Sequence, residues 1–365
     1  MKKVIVNKVI FRVDSGAHIG IGHLMRCLTL AEGFYDNDFE VFFLTKRHYG
    51  HFINIIPNKF NVQVMSNFVE GTDGSEEIND YESWLGNDLA VEINECNEFI
   101  KKVGDQDTLL VIDHYGLSHK FESKVISNNI FAIDDIFRSH NCNFLLDQNI
   151  SASEEKYRSK AVSSNCKYLM GPSFAMLRKD FLPYRESKLS EKSEVKNILV
   201  SFGGSDEKCD SLKLVKAFEG VSGIKLHVTV VLKKEHPSYS EINSIGESLE
   251  HDFRLIDFCE DFPALMAASD LFIGAGGSTS WERCFLGLPA VIVSSALNQD
   301  LICQSLSDKE IVIFLGKSED VSIELWVNEL NKVISGDYCL LKMSSRAKDI
   351  VDGLGVSRIV NLVTN

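Results

Sequence analysis

A histidine held just inside a helix, behind a glycine loop, is placed to move a proton. Residues 12–26 (RVDSGAHIGIGHLMR) have that form. A strand ends near Val13, a loop carries Gly20 and Gly22, and a helix starts near Gly22. The glycines let backbone come close to a ligand, and a helix N-terminus favours anionic oxygens. The same positive helix end opposes protonation of an imidazole in the first turn, so His23 is a candidate general base. On spacing alone, a histidine that merely caps or packs is an equal reading. Arg26, three residues on and on the same face, can reach a phosphate or form a surface ion pair.

Four further segments offer chemistry. In residues 109–116 (LLVIDHYG) an apolar strand delivers Asp113, His114 and Tyr115 to its carboxyl end, where α/β proteins build sites; alternatively, Asp113 opens a turn with Gly116. Asp134 and Asp135, after Ile133, repeat this geometry. His18, His23, Asp113 and His114 lack metal-ligand spacing, so neither a metal nor another cofactor is expected. In residues 200–206 (VSFGGSD) a strand runs into Gly203, Gly204 and Ser205, which can wrap a diphosphate or simply turn the chain. In residues 270–282 (DLFIGAGGSTSWE) the N–H groups of Gly277, Ser278 and Thr279 suit phosphate, and Glu282 can accept from ribose hydroxyls. Thr279 and Glu282 also have capping-box spacing. Asn298 and Gln299 follow another strand and offer amide groups to a sugar or phosphate, or belong to a plain surface loop.

These residues need strands to deliver them. Short runs rich in Val, Ile and Phe occur at 9–13, 41–44, 109–112, 130–133, 197–202, 226–232, 271–273 and 290–293. Several are apolar throughout, as strands covered on both faces must be. Between them lie amphipathic stretches, such as the one carrying Leu89, Ile93, Cys96 and Ile100 at helical spacing. The alternation predicts an α/β fold with parallel, doubly wound sheets. The polar stretch 184–196 reads as a linker. It divides the 365 residues into two Rossmann-like domains, 1–184 and 195–365, whose loops are expected to face each other across a cleft.

Composition excludes other classes. A net charge of −14 disfavours nucleic acid. Eleven carboxylates and two lysines between Glu70 and Asp105 read as a solvated helix face and loop, with an acidic docking surface as the alternative. No run reaches the ~18–20 apolar residues of a membrane span. The start lacks the apolar core of a signal peptide. Nine cysteines without Cys-x-x-Cys spacing point to reduced thiols in a cytoplasm.

As an ordered set, residues 12–26, VIDHYG at 111–116, IDD at 133–135, DQN at 147–149, Gly171-Pro172 with Leu177-Arg178, FGGSD at 202–206, AGGSTSWE at 275–282 and Asn298-Gln299 resemble a known family. They resemble the UDP-2,4-diacetamido-2,4,6-trideoxy-β-L-altropyranose hydrolases of pseudaminic acid biosynthesis. The resemblance runs from about residue 9 to 304, with a looser match at Ser83-Trp84-Leu85-Gly86. Spore-coat polysaccharide proteins share the motifs. The resemblance implies a glycosyltransferase-B-like fold, similar to the transferase that adds N-acetylglucosamine to the lipid precursor of peptidoglycan. It implies that His23 activates a water that attacks the anomeric carbon, with inversion and loss of UDP. It places UDP on Gly277, Ser278, Thr279 and Glu282, with Gly203, Gly204 and Ser205 at the diphosphate. The sugar side falls to Arg12, Asp14, Ser15, Gly22, Arg26 and Tyr115, with Asn298 and Gln299 near the diphosphate or sugar. Gly16 departs from the pattern, which more often has a second serine there. A glycosyltransferase of the same fold, and a nucleotide-sugar-binding protein without catalysis, remain alternatives; oligomeric state stays open, with a monomer among the options.

Overall fold

The computed structural model describes residues 8–69, 81–186, 194–203, 206–257, 259 and 261–364. The chain divides into two compact units, Met1–Leu177 with Leu354–Asn365, and Arg178–Gly353. The first unit holds β1 (Lys8–Val13), β2 (Glu40–His48), β3 (Asn61–Val69), β4 (Leu109–Asp113), β5 (Asn129–Ile133), β6 (Phe144–Asp147) and β7 (Lys167–Met170). They pair in the order β3-β2-β1-β4-β5-β6-β7, parallel throughout. The second unit holds β8 (Asn197–Ser201), β9 (His227–Val231), β10 (Asp252–Ile256), β11 (Leu271–Ala275), β12 (Ala290–Ser294) and β13 (Ile313–Lys317). Their order is β10-β9-β8-β11-β12-β13, again all parallel.

Both sheets reverse direction beside their first strand, between β1 and β4 and between β8 and β11. Loops leaving the two central strands there diverge to opposite faces and open a crevice at the strands' carboxyl ends. The glycine loops and the Asp-His-Tyr motif follow these four strands.

Alternation along the strands sets what each side chain meets. In the first sheet Val9, Phe11, Val13, Leu109 and Val111 share a core with Leu24, Cys27, Leu30 and Phe34 of α1 (Gly22–Tyr35). Ile10, Leu110 and Ile112 share the opposite core with Cys96, Phe99 and Ile100 of α2 (Leu89–Val103). Both faces are buried, as expected of strands that read as unbroken apolar runs.

All eight strands expected from apolar runs form, with ends shifted by a few residues. Five more were not legible as such: β3, β6, β7, β10 and β13. Four of these five are the edges of the sheets. An edge strand has a neighbour on one side only, and β3 (NVQVMSNFV) accordingly carries polar residues among its apolar ones.

The unit boundaries also differ from the expected 1–184 and 195–365. The chain changes units at Arg178, and the helix Gly355–Thr364 returns to the first unit. Its Ile359 and Val360 join the core beneath α1. Gly33 of α1 admits this contact, since a Cβ there would lie 2.2 Å from Val356 Cγ1. Residues 187–193 of the expected linker lie outside the described residues.

Candidate functional site

The side chain after Val111 on the α1 face is Asp113, at the last position of β4. It therefore meets the first two turns of α1. Asp113 Oδ1 lies 2.6 Å from His23 Nδ1 and accepts from Arg26 Nη2 at 2.6 Å. Oδ2 accepts from Arg26 Nε at 2.6 Å and from the Cys27 thiol at 3.5 Å. Burial alone would raise the Asp113 pKa, but Arg26 and His23 outweigh it and hold the carboxyl well below the usual range. An ionised carboxylate can only accept, so the imidazole atom facing it is Nδ1–H. A neutral His23 then carries its lone pair on Nε2, the nitrogen that no described hydrogen bond takes. The arrangement can orient an imidazole to accept a proton at Nε2.

Arg26 is no free phosphate ligand. Besides Asp113 it donates from Nη1 to Asp135 Oδ2 at 2.8 Å, and Tyr115 Oη donates to the other Asp135 oxygen. Asp134 faces away from this group and accepts from Arg138 Nε at 2.6 Å and Tyr157 Oη at 3.0 Å.

Arg12 and Asp14, expected on the sugar side, are sealed behind the site. Arg12 shares the α2 face with Ile10, so it meets α2 instead of the crevice. Its Nε donates to Glu92 Oε1 at 2.6 Å, and Nη1 and Nη2 donate to Asp14 at 2.6 and 2.8 Å. Both side chains are wholly buried. Asp14 also accepts from Lys46 N at 2.7 Å. His114 Nε2 lies 3.2 Å from Asp14 Oδ2, and His114 Nδ1 accepts from Gly116 N at 3.1 Å. With Nδ1 taken by the Gly116 N–H, Nε2 buried facing Asp14 without a hydrogen bond, and its pKa pushed down to about 4 by burial against the pull of Asp14, His114 has a scaffold environment. Ser15 is buried too, and its hydroxyl accepts from Phe52 N at 3.1 Å. Gly16 has a steric reason: a Cβ there would stand 2.7 Å from His48 Cβ, so no serine fits beside His48. Gly22, by contrast, has nothing within 4 Å of where a Cβ would stand.

An aromatic group borders His23. The Tyr115 ring stands perpendicular to the imidazole at 4.6 Å between centroids, and the Trp84 ring at 5.9 Å. Trp84 and Tyr115 stack at 5.4 Å, and Tyr81 packs edge-on against both. Tyr115 was legible in the motif at 109–116 and Trp84 in the looser match at 83–86, whereas Tyr81 carried no sequence signal.

In the second unit the chain leaves β8 through Gly203, which is exposed at φ 93°. Gly204 and Ser205 lie outside the described residues. Asp206 accepts from the backbone N–H groups of Asp210 and Ser211 at 2.9 and 3.0 Å and so caps the helix Asp210–Ala217. Just past the neighbouring β11, Gly276 packs where a Cβ would lie 2.0 Å from Cys303 Sγ. Gly277 and Ser278 then lead into the helix Thr279–Leu286, which has no side-chain cap bond at its start. The capping box is thus not made. Glu282 accepts instead from Arg178 Nε at 3.0 Å. Burial raises Glu282 above the usual carboxylate range, with Arg178 pulling the other way. Gln299 sits beside this turn, its Oε1 accepting from Ser295 N at 3.0 Å and its Nε2 3.6 Å from a Cβ placed on Gly277. Asn298 is exposed on the same helix, Leu297–Asp308. The turn therefore gathers Gly277, Ser278, Thr279, Glu282 and Gln299.

Among the described residues, no group of three or more His, Cys, Asp or Glu side chains could hold a metal. No described helix is long and apolar enough to cross a membrane. None of the nine cysteines is in a disulfide. Of the acidic stretch, residues 70–80 lie outside the described residues, and Glu92 is buried against Arg12 and Lys46 instead of solvated.

Two parallel sheets, each covered by helices, make this a two-domain α/β protein of glycosyltransferase-B-like fold. Residues 197–351 match the glycosyltransferase family 28 C-terminal domain. The UDP-2,4-diacetamido-2,4,6-trideoxy-β-L-altropyranose hydrolase of Campylobacter jejuni is 27% identical over 305 residues, 83% of this chain and 97% of that protein. The spore coat polysaccharide biosynthesis protein SpsG of Bacillus subtilis is 26% identical over 203 residues. That match spans 55% of this chain and 59% of SpsG. Among solved structures, MurG of Acinetobacter baumannii superposes with a TM-score of 0.66 at 13% identity, covering 98% of this chain and 99% of MurG. The S. aureus MnaA–UDP co-structure gives 0.61 at 12%, covering 98% and 96%.

Proposed function

We propose that this protein is a cytoplasmic hydrolase of a UDP-sugar, UDP-2,4-diacetamido-2,4,6-trideoxy-β-L-altropyranose, acting in pseudaminic acid biosynthesis. The observation that carries the reading is the His23–Asp113 pair, with Nδ1 fixed on the carboxylate. In this reading Nε2 takes a proton from water as the water oxygen bonds to the anomeric carbon. The bond from that carbon to the phosphate oxygen breaks, its electron pair leaves with UDP, and the configuration inverts. UDP is already a good leaving group, so no strong acid is needed. The first unit supplies the base and, through Gly22 and Tyr115, the sugar site. The second supplies UDP contacts: backbone N–H groups of Gly277–Thr279 and Gly203–Ser205 for the diphosphate, Glu282 for the ribose, and Asn298 and Gln299 nearby. The named Campylobacter relative supports the substrate and the reaction.

One observation favours a second reading: the match of residues 197–351 to a glycosyltransferase domain, which fits transfer of the sugar to an acceptor hydroxyl. The deciding experiment incubates the protein with a panel of UDP-sugars, the altropyranose derivative included, and no acceptor. Stoichiometric UDP and free sugar are expected from that derivative. UDP release only on adding an acceptor would establish the transferase, and binding without turnover under either condition would leave a non-catalytic binder.

A further inference from the structure

We propose that Trp84 and Tyr81 form a fixed wall that restricts the nucleophile at His23 to water; the inference rests on the function proposed above. His23 is only 7% exposed. Its Nδ1 side is filled by Asp113 and Arg26, and the Trp84 and Tyr115 rings stand perpendicular to it. Little imidazole surface is left, which favours a small nucleophile. An acceptor alcohol brings a carbon chain that must pass the indole.

The wall is built in, which a chance loop contact would not be. The segment 81–87 is pinned from beneath by Lys46, a wholly buried lysine. Its Nζ donates to the Leu85 carbonyl at 2.6 Å and to Asn87 Oδ1 at 3.1 Å, while Glu92 balances its charge at 2.5 Å. Glu92 in turn is held by Arg12, and Arg12 by Asp14. The buried charges of the first motif thus anchor the segment that carries Trp84. The other side of the segment lies on Gly116, where a Cβ would come within 2.6 Å of the Tyr81 carbonyl. Removing Glu92 would leave the buried Lys46 without its carboxylate, so breaking the anchor is costly. A rigid wall selects its nucleophile by size, as a pocket selects substrates.

With an alcohol in place of water, the alcohol oxygen bonds to the anomeric carbon, its proton goes to Nε2, and UDP leaves as before. The product is an alkyl glycoside instead of the free sugar. The test incubates the full-length protein with UDP-2,4-diacetamido-2,4,6-trideoxy-β-L-altropyranose in buffer containing methanol and measures methyl glycoside and free sugar by mass. Wild type is expected to give free sugar almost alone. Trp84→Ala should raise the glycoside-to-sugar ratio at least ~10-fold, and Tyr81→Ala, which reaches His23 only through Trp84 and Tyr115, by less. A folded Trp84→Ala protein that releases UDP with an unchanged ratio overturns the inference. So does a wild type that takes methanol as readily as water, a result that needs no variant. Should Trp84→Ala not fold, Tyr81→Ala and Trp84→Phe decide by the same ratio. No UDP from wild type with any member of the panel overturns the functional reading instead.

Discussion

Asp113→Asn removes one charge and leaves the shape. In the protein, Asp113 accepts from His23 Nδ1 at 2.6 Å and from Arg26 at two positions, each 2.6 Å. An asparagine amide can still meet Nδ1. When its NH₂ faces the ring, it forces Nδ1 to be the acceptor and puts the proton on Nε2, the wrong tautomer for a base. When its oxygen faces the ring, the imidazolium formed during reaction loses the adjacent negative charge. Losing base function typically costs about 10²–10⁴ in rate, which is about 3–5 kcal/mol of transition-state stabilisation. Turnover of the UDP-sugar by Asp113→Asn should fall by that factor while UDP affinity, which the proposed function assigns to the second unit, holds. The same change leaves Arg26 with Asp135 as its one carboxylate partner, so some stability is lost as well. A melting curve must therefore accompany the kinetics. The discriminating measurement is a double-mutant cycle with His23→Asn. If Asp113 acts through His23, the double variant is no slower than His23→Asn alone, because residues working as a unit are not additive. A folded Asp113→Asn enzyme with normal turnover, or losses that multiply across the cycle, refutes the reasoning.

Glu282→Ala should weaken UDP by about 1–3 kcal/mol if a charge-assisted ribose bond is lost; calorimetry that shows unchanged affinity would mean Glu282 serves only Arg178. Activity should survive a chelator, because the oxygens of Asp113 and Asp134 are already engaged by Arg26, His23, Arg138 and Tyr157; loss that magnesium or manganese restores would contradict this. His140 sits 2.7 Å from Glu122 and near Asp134; burial lowers its pKa, yet the two acids push it up to about 9. A folded pKa above the unfolded ~6.5 means this contribution is complete below about 6.5 and lost as pH climbs through the folded value, so denaturant midpoints should fall over that window, and fall less in His140→Gln. Parallel pH profiles for the two proteins would count against it. Gly16→Ser should lower stability by about 1–3 kcal/mol through the clash with His48; an unchanged melting temperature would show that His48 moves aside.

Much of the fold was legible because parallel strands buried on both faces read as unbroken apolar runs. β4 and β11 read that way, β1 does so but for Arg12 and β8 through Ile198–Val200, and they are the strands that flank the switch points. The glycine loops after them were found for the same reason. What escaped was on the margins. β3, β7, β10 and β13 are edges with mixed composition. The return of the helix Gly355–Thr364 to the first unit depends on Gly33, more than 300 residues earlier, and no local pattern encodes such a contact.

The roles within the site divide along one physical line, the alternation of a strand. Arg12 and Asp113 sit at nearly the same height on adjacent strands, where Val13 pairs with Asp113. Arg12 points to the α2 side with Ile10, and Asp113 to the α1 side with Val111. Arg12 and Asp14 were placed on the sugar side by the resemblance of their motif. Yet one step along a strand is the difference between facing His23 and facing Glu92. Asp113, which also fitted a turn, has the parity that carries it to His23. Parity could have been read from the sequence, since residues 109, 111 and 113 share a face and 12 shares one with 10. Which helix covers which face could not, because the deciding partners, Glu92 for Arg12 and His23 for Asp113, lie 80 and 90 residues away. A charged residue at a strand's end is therefore assigned to scaffold or to chemistry by the helix it meets, and only the folded chain supplies that helix.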